Sequence, residues 1–136
     1  MRGPTGVWAM LRLRLDPAAA VQPGTVPAFV AALLIASTFF NIVANAAFKV
    51  AAYSPNWRSF LTWQVVGNLA GFITVLTLTG LLRFIPLAIA YPVTTGLAVI
   101  GVQVAAAALL FHEPISSIQW LGTLVIVGGI ILVSRT

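Results

Sequence analysis

Three polar residues recur every four positions inside an otherwise apolar stretch, FFNIVANAAFK: Asn41, Asn45 and Lys49. At about 100° per residue this spacing lines them along one narrow stripe of a helix, with Thr38 near its edge. The amides offer donors and acceptors suited to sugar hydroxyls, and the lysine offers a cation suited to a phosphate. Gln64, Asn68 and Gly71 repeat the pattern at i, i+4 and i+7, and a third stretch carries Tyr91, Thr94, Thr95 and Gln103. An unpaired amide in hydrocarbon costs roughly 2 to 7 kcal/mol, so these faces must meet other helices or a wet cavity. Two readings stand: interhelical glue, worth about 0.6 to 2 kcal/mol per bond, and a polar path for a substrate. Lys49, near a helix end, has the further option of snorkelling to the interface.

What is missing narrows the chemistry. Only Asp16 and Glu113 are acidic, His112 is the one imidazole, and there is no cysteine. No metal cluster, carboxylate dyad, nucleophilic triad or disulfide can be assembled from that set. The expectation is a non-enzyme with no cofactor and no metal. No carboxylate falls within an apolar run, so proton exchange on a membrane-embedded acid is unsupported as well.

The elements that carry these residues follow from composition. Of the 136 residues, 60% are hydrophobic and 7% charged, far from the balance of a soluble domain. Four nearly uncharged runs, about 26–52, 60–82, 85–111 and 115–133, approach or exceed the ~20 residues a helix needs to cross ~30 Å of hydrocarbon. None shows the alternation of a β-barrel strand. Short connectors make neighbouring helices antiparallel. Tyr53 and Trp57 suit an interfacial belt, and Ser54, Pro55 and Asn56 supply turn chemistry. Pro86 is expected in the first turn of the third helix and Pro114 at the start of the fourth, with Glu113 near that helix's positive end. Pro92 removes a backbone bond, so a bend or hinge is expected at Pro92 and Gly96.

Residues 1–25 form an extension whose Arg12, Arg14 and Asp16 interrupt any signal-peptide core. Two readings remain for it, a frayed tail and a short interfacial helix with Val7, Trp8, Leu11 and Leu15 on one face. Arg2, Arg12, Arg14, Arg83 and Arg135 fall on one side of the membrane, against Lys49 and Arg58 on the other. By the positive-inside rule both termini are cytoplasmic. No basic cluster is interleaved with aromatics, so nucleic acid is not an expected partner. Four helices leave little room to enclose a path, which points to a dimer. Gly67 and Gly71 form a GxxxG spacing that serves either helix packing within the chain or a dimer contact.

The stretch IPLAIAYPVTTGLAVIGVQVAAAALLFHEPISSIQWLGTLVIVGGIILV, residues 85–133, resembles the C-terminal half of the small drug/metabolite transporter superfamily, including the small multidrug resistance and EamA-like proteins. The likeness is carried by IAYP at Ile89 to Pro92, HEPIS at His112 to Ser116, Gln119, Trp120 and Gly122, and the closing IVGGIIL. The nearest branch is that of the subunits flipping undecaprenyl-phosphate-linked aminoarabinose. Asn45 and Lys49 match its amide and lysine spacing. Asn41 stands where the multidrug branch carries a glutamate, and Thr94 where it carries a tryptophan, which argues against export of aromatic cations.

The resemblance implies an all-α, integral membrane bundle of four transmembrane helices, small multidrug resistance-like, at residues 26–136 behind an N-terminal extension. It implies a transporter or flippase subunit of the bacterial inner membrane, moving a lipid-linked sugar or small metabolite as a homo- or hetero-dimer among membrane lipids. The substrate path would comprise Asn41, Asn45, Lys49, Asn68, Tyr91, Thr94, Thr95 and Gln103. The alternative is a non-transporting accessory subunit of a larger membrane complex, docked through residues 1–25.

Overall fold

The computed structural model describes Gly6 and residues 26–135; the expectations for the N-terminal extension lie outside these residues. The described residues contain helices and no strand. α1 spans Val26–Ala52, α2 Trp57–Leu81, α3 Leu87–Gly101 and α4 Ser117–Ser134, and a π-helix, Val102–Leu110, continues α3. Counting α3 with its π-helical continuation, all four are long and apolar enough to cross a membrane. The chain is a multi-pass membrane protein with an all-α fold.

Capping chemistry sets the helix boundaries. Asn56, in an extended conformation, accepts from Ser59 N at 2.8 Å, which starts α2 at Trp57 rather than Phe60. Ser116 and Gln119 form a reciprocal capping box, with Ser116 N donating to Gln119 Oε1 at 2.7 Å and Gln119 N to Ser116 Oγ at 3.3 Å. That box starts α4 at Ser117. Pro114 is therefore not a helix starter but lies two residues before the Ser116 N-cap, and Glu113 lies in the connector ahead of it. Pro86 is the N-cap of α3.

α1 is central: it packs most extensively on α2 and also contacts α3 and the π-helix, whereas α4 packs chiefly on α3. Small side chains make this possible. The buried residues are Ala44, Ala47, Ala51, Ala70, Ala90, Ala98 and Ala106, with Gly67, Gly96, Ser37, Thr77, Thr94, Thr123 and one large residue, Leu81. In lipid, where hydrophobic burial gives little drive between helices, close backbone approach supplies the dispersion contact instead. Large side chains such as Phe72, Ile118, Leu124 and Leu132 point outward.

The GxxxG pair divides. A methyl group on Gly67 would collide with the Phe48 ring of α1, while one on Gly71 would meet nothing within 4 Å. Gly67 serves packing within the chain. Gly96 plays the same part against Ile130 and Ile126 of α4. α-Helical geometry continues through Pro92, and the departure from it begins at Val102.

The two ends of the bundle are tied by different contacts. At one end the Phe29 and Phe84 rings meet edge to face, centroids 5.5 Å apart. At the other, Lys49 of α1 forms an ion pair with Glu113 of the α3–α4 connector.

Candidate functional site

A groove of about 610 Å³ opens between α1, α2 and α3. α1 contributes Ser37, Asn41 and Asn45, α2 Thr74 and Leu78, and α3 with its π-helical continuation Tyr91, Thr94, Thr95, Val102, Gln103 and Ala107. The groove thus gathers Asn41, Asn45, Tyr91, Thr94, Thr95 and Gln103 from the stripes that periodicity singles out. Its polar groups are all uncharged amides and hydroxyls.

The amides are partly engaged. Asn45 Nδ2 donates to Asn41 Oδ1 at 2.8 Å and approaches Asn41 O at 2.9 Å. That leaves the Asn41 amino group and the Asn45 carbonyl as the pair's remaining donor and acceptor. The Thr94 hydroxyl, buried, donates back to Ala90 O at 2.8 Å, with Tyr91 O at 3.1 Å. Such back-bonding satisfies a hydroxyl within its own helix and leaves its lone pairs for another donor. Thr95 lines the groove and is exposed.

Gln103 has two faces. It lines the groove, and its Oε1 accepts from the buried Thr123 hydroxyl of α4 at 2.5 Å. The two readings of the intramembrane amides, glue and path, meet in this residue.

Lys49 and Asn68 lie elsewhere. Lys49 lines a second cavity of about 570 Å³ with Tyr53, Ser54, Ser59, Phe111 and Glu113. Its ammonium pairs with the Glu113 carboxylate and lies 5.1 Å from the Tyr53 ring centroid and 5.9 Å from that of Phe111. This arrangement combines charge pairing with cation–π attraction. Asn68 is exposed on α2 and donates to Gln64 O at 2.7 Å. The inward face of α2 is set by the close approach of Gly67 to Phe48 of α1, and Asn68 lies about 100° around the helix from Gly67.

Three participants escape the polar stripes read from the sequence. Ser37, 3% exposed, stands one turn before Asn41 on the same four-residue spacing and was legible by extending it backwards. Thr74 lies on the face that α2 presents to α1, and no regular polar spacing marks it. Glu113 was legible through topology, since antiparallel spans put the end of α1 and the α3–α4 connector on one face.

The end of the π-helix aims Glu113. His112 takes φ 50°, in the left-handed region, and Glu113 N donates back to Ala107 O at 2.8 Å. This reversal resembles the left-handed terminations of α-helices, widened to suit π geometry. No family model, curated protein or solved structure matches the chain.

Proposed function

We propose that this chain is a small transporter or flippase subunit of the bacterial inner membrane, moving a lipid-linked sugar or small metabolite as a dimer with both termini cytoplasmic. The observation that carries the reading is the uncharged, hydrogen-bonding groove between three spanning helices. Its size suits a sugar-sized head group, and its open side lets a lipid tail remain in the bilayer. The likeness of residues 85–133 to the small drug/metabolite transporter superfamily supports the same reading. Of the residues read from the sequence as a path, Asn41, Asn45, Tyr91, Thr94, Thr95 and Gln103 then belong to it, and Ser37 and Thr74 join them.

The test is reconstitution into vesicles containing a polyprenyl-phosphate-linked sugar whose sidedness is read by an impermeant reagent. The native chain is expected to redistribute the lipid between leaflets, and Asn45→Leu to abolish this while remaining folded. Equal redistribution by both proteins overturns the assignment of the path to the α1 stripe, and none by either overturns the activity.

One observation favours an accessory subunit instead. The outer face of α4 leaves Ile118, Leu121, Leu124, Val125 and Leu132 exposed, and Gly122, Gly128 and Gly129 have open space around them. A smooth apolar surface of this kind suits a partner helix. Purification in mild detergent separates the readings: a self-dimer supports transport, and a stoichiometric set of other membrane subunits supports the accessory role.

A further inference from the structure

Along α1, Asn45 lines the groove and Lys49, one turn further, lines the second cavity. Along the π-helix, Ala107 lines the groove and Phe111 lines the second cavity. The Lys49–Glu113 pair therefore bridges α1 and the α3–α4 connector where the groove gives way to the bundle end. Glu113 also borders a third cavity, of about 260 Å³, which shares Gln103 and Ala107 with the groove.

From this juxtaposition we infer that the Lys49–Glu113 ion pair is the gate of the groove at the face carrying connectors 53–56 and 111–116. The inference rests on the groove being a path. Three features distinguish a gate from a static strut. The two side chains are 35% and 41% exposed, so water competes for both charges and the pair holds only weakly. Glu113 is carried on a short connector behind a left-handed residue, so its carboxylate can leave Lys49 without unpacking a helix. The segment leading to it is π-helical, a geometry found mostly at functional sites, whose return to α-helical bonding would rotate Phe111 and Glu113 around the helix axis. When the pair parts, Lys49 remains beside Tyr53, and the groove opens into the second cavity.

The absence of cysteine allows a direct test. Thr95→Cys places a thiol in the groove, and Trp57→Cys, at an exposed position at the start of α2, identifies the face in question. Both are reacted with a membrane-impermeant maleimide, applied separately from each side of vesicles holding the full chain.

In the native background T95C is expected to label slowly from the W57C side. Glu113→Gln or Lys49→Gln should raise that rate about fivefold, the effect of losing roughly 1 kcal/mol of pairing. The charge exchange Lys49→Glu with Glu113→Lys should restore slow labelling. Unchanged rates in the single variants, equal acceleration from both faces, or no recovery on charge exchange would each overturn the gate. If Glu113→Gln does not fold, Lys49→Gln and the exchange carry the test. Because labelling needs no substrate, a failed gate is distinguishable from a failed transport reading.

Discussion

Asn45 and Asn41 are joined through a single nitrogen: Asn45 Nδ2 lies 2.8 Å from the Asn41 side-chain oxygen and 2.9 Å from its main-chain carbonyl. The bond runs along one helix, not between two. It stabilises the stripe locally without tying α1 to a neighbour, so the groove face keeps both polarity and access.

Asn45→Leu should therefore cost little in stability, below about 1 kcal/mol, because the bond lost is intrahelical and half-solvated. Asn41→Leu should cost no more, since Asn45 keeps the Asn41 carbonyl as acceptor. Unfolding midpoints in detergent check both. A loss several times larger would mean that the stripe is assembly glue.

The two glycines of GNLAG should respond in opposite ways. Gly67→Ala pushes a methyl into the Phe48 ring and should destabilise by about 1 to 3 kcal/mol. Gly71→Ala meets open space and should be neutral or stabilising by up to about 1 kcal/mol, through helix propensity. Denaturant titration of the two variants side by side measures the difference.

Gln103 and Thr123 should be energetically coupled, since they pair between the π-helix and α4 at 2.5 Å. A double-mutant cycle with Gln103→Leu and Thr123→Val is expected to give about 0.6 to 1.7 kcal/mol of coupling. A value indistinguishable from zero would mean that this bond does not help hold α4, leaving its packing on α3, at Gly96 among other positions, to do so.

Deleting one alanine from the run Ala105–Ala108 should convert the π-helix to α-helical bonding, since a π bond encloses one residue more than an α bond. The variant should fold, retain its helical circular dichroism, and label T95C as fast as Glu113→Gln does. Labelling at the native rate would separate the π geometry from the ion pair.

Much of the molecule was legible before any coordinate. Four spans follow from composition because crossing hydrocarbon is a local demand: each segment must itself be long, apolar and internally hydrogen-bonded. The α1 stripe follows from the 3.6-residue period, and Tyr91, Thr94, Thr95 and Gln103 stand out as the polar residues of the third span. The start of α2 was misjudged because Asn56 reads equally well as turn and as cap. Pro114 drew attention from the capping box two positions later.

Other features depend on which backbones touch. Asn68 has the same composition cue as Asn45, yet Asn45 lines the groove and Asn68 does not, because the approach of Gly67 to Phe48 decides how α2 is rotated. Gly67 and Gly71 are equivalent in sequence, and only packing assigns one to a contact and leaves the other open. The π-helix carries no proline or glycine to announce it. Lys49 and Glu113 are 64 positions apart, and no periodicity links them. Sequence alone determined the spans, their antiparallel order and the polar character of α1, since those are properties of single segments in lipid. Tertiary structure decided which polar faces share a groove and which charges meet, since those depend on helix rotation and close approach, set by the whole bundle.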